Sequence, residues 1–413
     1  MSNSTDQNPQ APEPEVMDQI SDPESEERST LRLERLTKIY PGSDQPAVDS
    51  VTMTVPAGEI CIFIGPSGCG KTTLMRMLNR LLPITSGKVM LGGQDVSQLD
   101  VIQLRRGIGY AIQQIGLFPN MTVRDNIGVV PKLLKWDKKR IDERVDELLN
   151  LVNLDPEIFR GRYPRELSGG QAQRIGVARA MAVDPPVMLM DEPFGAIDPI
   201  NRTVLQDEFL KIQERLKKTI VFVTHDIDEA IKMGDKIALL RDGRLEQYGA
   251  PEELLSQPKN EFVKDFVGAD RVLKRLNLLK ASDAMMPNPV HCYEGDPGPK
   301  VRKKMEDEVL NFLLVVDDQD RLMGYVSLKA LIDFEGPVGK IAHPMTLTVR
   351  PDQNLKEALS RMLQYDLGIL AVVDEDKRLL GVLNSRTLLN TIGETYDEKG
   401  GHWGKVIGGG SVL

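Results

Sequence analysis

The chain has 413 residues, enough for two or three domains with cores of their own. Its net charge is −9, most of it at one end, and no basic stripe of the kind nucleic-acid binding needs occurs anywhere. Three cysteines (Cys61, Cys69, Cys292) in no pairing pattern point to a reduced setting, and with no apolar run of about 18 residues and no charged-then-apolar leader, neither a membrane span nor secretion is expected.

Residues 1–30 hold eight acids (Asp6, Glu13, Glu15, Asp18, Asp22, Glu24, Glu26, Glu27) and one base, Arg28, which is seven of the nine net negative charges. They also carry Pro9, Pro12, Pro14 and Pro23 and few large apolar residues. Such a segment cannot bury enough surface to offset its ordering entropy, so a disordered acidic tail is expected.

Ile60-Cys61-Ile62-Phe63-Ile64 is an apolar run that suits a buried parallel strand. Gly65-Pro66-Ser67-Gly68-Cys69-Gly70-Lys71-Thr72 follows, a full match to G-x-x-x-x-G-K-[ST], and Thr73-Leu74-Met75-Arg76-Met77-Leu78 has helical composition. Strand, glycine loop and helix form the context a phosphate-binding loop needs. The glycines let backbone N–H groups converge on phosphates at a helix N-terminus. Lys71 adds a point charge for the β- and γ-phosphates, and the Thr72 hydroxyl can reach a magnesium ion.

Leu167-Ser168-Gly169-Gly170-Gln171 is the next motif, and Val187-Met188-Leu189-Met190-Asp191-Glu192-Pro193 comes twenty residues later. Four apolar residues ending in two acids fit a buried strand that delivers carboxylates at its C-terminal edge, where open α/β sheets bind ligands. Asp191 is placed to hold magnesium and Glu192 to polarise an attacking water.

Here the chain resembles the ABC ATPase family over roughly residues 31–268. Tyr40, 25 residues before the phosphate loop, matches the ring that stacks on adenine. Gln113 follows Ile108-Gly109-Tyr110-Ala111-Ile112 as the family pattern does, and matches the glutamine that senses magnesium and the membrane partner. Gly195-Ala196-Ile197-Asp198 matches the loop that crosses between subunits, and His225 the histidine that contacts the γ-phosphate. The resemblance implies an α/β fold with a helical insertion (roughly 120–180) carrying the Leu167–Gln171 stretch. It also implies a homodimer with two ATP molecules sandwiched head to tail. Tyr40, Gly65, Pro66, Ser67, Gly68, Cys69, Gly70, Lys71, Thr72 and Thr73 would hold the nucleotide. Thr72, Gln113 and Asp191 would serve the metal. Lys71, Gln113, Glu192 and His225 would carry catalysis, and Ser168, Gly169, Gly170, Gln171 and Asp198 would act from the second copy.

The last third repeats itself. Shifting by 57 residues puts Val315-Val316-Asp317 on Val372-Val373-Asp374, Arg321-Leu322-Met323-Gly324 on Arg378-Leu379-Leu380-Gly381, Met305 on Met362 and Pro287 on Pro344, without a gap. Each copy reads as a helix-like stretch, strand, tight acidic turn, strand and helix, a unit that buries its apolar face by stacking on the other. The pair resembles tandem CBS domains, which implies a regulatory nucleotide site. The Asp that holds a ribose in many such units is replaced here by Ala330 and Thr387. That departure favours a cyclic dinucleotide, or a response to ionic strength, over a mononucleotide.

The expected division is therefore an acidic tail (1–30), an ATPase domain (31–268), a linker (269–282), CBS repeats (283–340 and 341–395) and a flexible tail (396–413). One ATPase cassette followed by two CBS units resembles the quaternary-amine importer family for glycine betaine, carnitine or choline. This implies transmembrane permease subunits and a substrate-binding protein or domain as partners, and a peripheral place on the cytoplasmic face of the membrane. The alternative is an ABC ATPase acting on nucleic acid or ribosomes. It is disfavoured because Leu167 follows Lys71 by only 96 positions, leaving no room for a long coiled coil, and because the chain holds a single cassette.

Overall fold

The computed structural model describes residues 29–111, 116–195, 197–365, 367–388 and 390–391. Residues 1–28 of the acidic tail, Gln113, Ala196, the end of the second repeat and the 396–413 tail lie outside the described residues. The chain divides into two compact units, residues 1–225 with 240–245, and residues 226–239 with 246–413. Among the described residues no helix is long and apolar enough to cross a membrane. All three cysteines are unpaired and buried, and burial pushes the Cys292 thiol up to about 11.

In the first unit, β1 (Leu31–Lys38), β2 (Val48–Val55), β4 (Ser86–Leu91) and β5 (Gln94–Asp95) form an antiparallel sheet in the order β2-β1-β4-β5. Alternation puts Leu31 and Leu33 inward, a bulge between Leu33 and Leu36 returns Leu36 to the same face, and Leu33 faces both Met53 and Val89 across the ladders. A parallel sheet holds β3 (Ile60–Ile64), β8 (Thr219–Val223), β7 (Val187–Asp191) and β6 (Ile108–Ala111) side by side in that order. Every residue of β3, β7 and β8 is buried, which explains their unbroken apolar runs. Phe63 and Phe222 are fully buried, each worth about 1.5–3 kcal/mol in area removed from water.

The register aligns Phe63 with Val223, Asp191 with Val223 and Ala111 with Met190. Three chain exits therefore meet at one edge: the phosphate loop after β3, Glu192 after β7 and His225 just past β8, with the end of β6 at Ala111 on the same edge. The helical insertion includes Lys138–Leu151, which buries Ile141, Val145, Leu148 and Leu149, and Gly169–Ala180.

In the second unit the 57-residue repeat holds element by element. β12 (His291–Tyr293), the helix Gly298–Asp307, β13 (Phe312–Val316) and β14 (Leu322–Ser327) recur as β15 (Thr348–Val349), the helix Leu355–Gln364, β16 (Ile369–Val373) and β17 (Leu379–Asn384). His291 pairs with Leu314 just as Thr348 pairs with Ala371. The acidic turn is built as its residues suggest: the Asp317 carboxylate accepts from the N–H groups of Gln319 and Arg321 (both 2.9 Å) and from Arg321 Nε (2.7 Å).

The closing helix of the first repeat is only a 3-10 turn, Leu328–Leu331. The repeats also exchange edges. Met286, in β11 (Met286–Pro287), pairs with Val382 of β17, and its counterpart His343 bridges to Tyr325 of β14. Residues 269–282, expected as a linker, are structured: Arg271–Arg275 is helical, and Leu276 is fully buried in the second repeat's core with Leu355, Met362 and Leu370.

Candidate functional site

Glycine chemistry shapes the loop after β3. Gly70 has φ 100°, and a Cβ there would stand 2.3 Å from the Ala47 carbonyl oxygen. A larger residue would fail both on conformation and on space. Gly65 is walled by the Leu240 carbonyl oxygen, 2.1 Å from where a Cβ would lie. The Gly243 N–H donates to the Cys69 oxygen at 3.2 Å, so the turn Asp242-Gly243 floors the loop. Motif reading missed these wall residues; the Asp-Gly turn is the sequence signal that marks one of them.

Lys71 is 8% exposed, and its Nζ donates to the carbonyl oxygens of Gly65 (2.8 Å) and Pro66 (3.0 Å). The ammonium is thus curled over its own loop, on acceptors that a phosphate oxygen outcompetes. It also lies 3.7 Å from Cys69 Sγ, but burial dominates and raises the Cys69 thiol. Thr72 Oγ1 donates to Asp191 Oδ1 at 3.4 Å. Asp191 is 5% exposed, and burial raises its pKa, opposed by the Thr72 hydroxyl and the Arg76 charge. A buried carboxylate beside a hydroxyl fits a magnesium ion, which takes one or two protein oxygens and completes its shell with phosphates and water.

Glu192 is held on a tight bend. Its φ is +47°, unusual for a residue with a Cβ, and its N–H donates to the Val223 oxygen at 2.9 Å. Its Oε1 stands 3.1 Å from His225 Nδ1. The geometry therefore joins the residues that follow β7 and β8. Tyr40 is exposed, with Lys38 Nζ 5.3 Å from its ring centre and its hydroxyl 3.4 Å from Thr73 Oγ1. An open ring beside the loop can accept a flat base on its face.

The second cluster sits elsewhere in the unit. Ser168 caps the helix Gly169–Ala180, and a reciprocal box forms as the Gln171 N–H donates to Ser168 Oγ (3.3 Å) and the Ser168 N–H to Gln171 Oε1 (3.0 Å). Gly169 and Gly170 leave that N-terminus open to an anion. Asp198 caps the helix Pro199–Leu216, accepting from the Asn201 N–H at 3.1 Å. The chain thus builds one half-site around Lys71, Asp191, Glu192 and His225, and a separate anion-receptive helix end at Ser168.

The ABC transporter family model matches residues 48–195, and the CBS domain model matches 281–336 and 338–394. The osmoprotectant import ATP-binding protein OsmV of Salmonella typhimurium is 47% identical over 358 residues, covering 86% of this chain and 94% of that protein. The chain belongs to the family of ABC-type ATP-binding subunits of osmoprotectant importers. Another family member, the glycine betaine/carnitine/choline transport ATP-binding protein OpuCA of Bacillus subtilis, is 45% identical, covering 88% of this chain and 96% of that protein. The fold is shared with cbiO1 of Clostridium perfringens, part of the ABC transporter complex cbiONQ. That likeness has a TM-score of 0.53 at 25% identity and covers 60% of this chain and 94% of that one. As a member of this family the chain is an ATP-binding ATPase, and the α/β cassette with a tandem CBS pair is its architecture.

Proposed function

We propose that this chain is the ATPase subunit that powers import of a quaternary-amine solute: glycine betaine, carnitine or choline. The observation that carries the reading is the half-site itself, with Lys71, Thr72–Asp191 and Glu192–His225 at one sheet edge, on a chain related along most of its length to such subunits. Nucleotide binding draws Lys71 from the Gly65 and Pro66 carbonyls to the β- and γ-phosphates, while loop N–H groups hold the rest and Tyr40 stacks on adenine. Thr72 and Asp191, with Gln113 as the family pattern implies, would hold a magnesium ion, which would supply neutralisation of phosphate charge. Glu192 takes a proton from water as its oxygen bonds to the γ-phosphorus. The bond to the bridging oxygen breaks and ADP carries off the electron pair. His225 orients Glu192 and the γ-phosphate.

Ser168, Gly169, Gly170, Gln171 and Asp198 serve the site of a second copy, so the working form is a homodimer. Permease subunits dock near Gln113, a substrate-binding protein supplies the solute, and the chain sits peripherally on the cytoplasmic face of the membrane. The reading is tested by purifying the chain with its permease and screening solutes for stimulated ATPase. Stimulation confined to quaternary amines supports it, and a flat response contradicts it. Action on nucleic acid or ribosomes finds no support in the relatives' names or in the acidic balance of the chain.

The CBS pair is the regulatory part, taking a cyclic dinucleotide or responding to ionic strength. A cavity of about 290 Å³ is lined by Phe312 and Tyr325 of one repeat and by Leu367 and Ile369 of the other. The two rings stand edge to face, 5.8 Å apart. No carboxylate stands at 330 or 387: the Ala330 N–H donates to Ser327 Oγ, and the Thr387 hydroxyl to the Asn384 oxygen. Base stacking on an aromatic ring is worth about 1–3 kcal/mol. Tyr325→Ala is therefore expected to weaken cyclic dinucleotide binding by about 5–150-fold, by calorimetry, while basal ATPase stays unchanged. Equal affinity in parent and variant removes the dinucleotide from this cavity.

A further inference from the structure

The stretch between the cassette and the repeats is gripped at both ends within the second unit. Lys274, in the helix Arg271–Arg275, is 11% exposed; its Nζ donates to the Val267 oxygen at 2.9 Å, pairs with Asp270 Oδ1 at 3.0 Å and stands within ion-pair distance, 3.8 Å, of Asp228 Oδ1. The neighbouring Arg275 guanidinium pairs with the Glu252 carboxylate of the helix Pro251–Ser256. Leu276, two residues from Lys274, is fully buried in the core of the second repeat. Its oxygen accepts from the Lys356 N–H (3.2 Å), and the Leu279 oxygen accepts from the Leu355 N–H (2.8 Å). The strap thus fastens to the second repeat before the chain enters the first.

Asp228 belongs to the helix Ile227–Met233, and its N–H donates to the capping Asp226 carboxylate at 2.9 Å. His225 is the residue before that cap. Only Asp226 and Ile227 separate His225 from Asp228, too few to absorb much displacement, and at the other end of the strap the packed core around Leu276 resists continuous deformation.

We propose that Lys274 is a positioning residue: it ties the helix that follows His225 to the core of the second CBS repeat, so that nucleotide occupancy and the state of the repeat pair bias each other. This rests on the reading that His225 attends the γ-phosphate. Because coupling between sites is reciprocal, it can be read from the nucleotide side, with ATP as the probe and no regulatory ligand.

Hydrogen exchange is measured on the full chain carrying Glu192→Gln, with and without Mg-ATP, at residues 65–78, 271–280 and 348–365. ATP is expected to slow exchange in all three. Adding Asp228→Asn, at a side chain that is 69% exposed and so cheap to alter, keeps the effect at 65–78. It reduces the effect at 348–365 by about two- to fivefold, the range of one exposed ion pair. Lys274→Met acts in the same direction, and Asp228→Glu retains the parent response. Undiminished transmission in Asp228→Asn, or protection at 65–78 with none at 348–365 in the parent, overturns the proposal. Absence of protection at 65–78 overturns the nucleotide-site reading, and the inference with it.

Discussion

Glu192→Gln is expected to leave ATP binding near the parent value and to slow hydrolysis by about 10²–10⁴-fold, the range for loss of a general base. The glutamine keeps the shape and the backbone tether to Val223, so the side chain stays on its bend beside His225. What it loses is the capacity to take a proton from water. ATP then persists, and an ATP-bound dimer accumulates on gel filtration. Single-turnover hydrolysis near the parent rate would remove Glu192 from the role.

Mixing two inactive variants is expected to restore activity. In Lys71→Ala the phosphates lose their point charge. In Ser168→Arg a cation is placed at a helix N-terminus, where the dipole opposes it and the bulk blocks a phosphate. Each homodimer has two broken sites. A mixed dimer has one intact pair, Lys71 from one chain and Ser168 from the other, so random exchange between two-fold dimers restores about a quarter of parent activity. No rise on mixing, or full activity of either variant alone, contradicts the shared site.

Much of this was legible in the residues because local chemistry decided it. The glycines of the phosphate loop, Lys71 and the flanking apolar runs all point to one strand–loop–helix arrangement. The repeat could be placed to the residue because β13 and β16 are the same kind of unbroken apolar run and each leads through the same acidic turn into β14 or β17. Other features rest on contacts far apart in sequence. The edge exchange at Met286 and His343 involves segments too short to show any periodicity. The walls of the loop at Ala47 and Leu240 are backbone carbonyls, which no side-chain pattern announces. The left-handed bend at Glu192 has no signal at all, since glutamate does not favour it; it is imposed by β7 ending beside Val223. The 269–282 strap read as a linker because its helix is one turn long and polar, and only the burial of Leu276 in a core built from residues 349–388 gives it a fixed place.

The central claim is that hydrolysis at this site drives solute uptake. The direct measurement is uptake of labelled glycine betaine, carnitine and choline into vesicles that hold the permease, its binding protein and this chain with ATP on the chain's side. The account predicts uptake of at least one of the three with the parent chain and none above background with Glu192→Gln. Equal uptake with parent and variant, or no quaternary-amine uptake despite ATP turnover by the assembled complex, would contradict it.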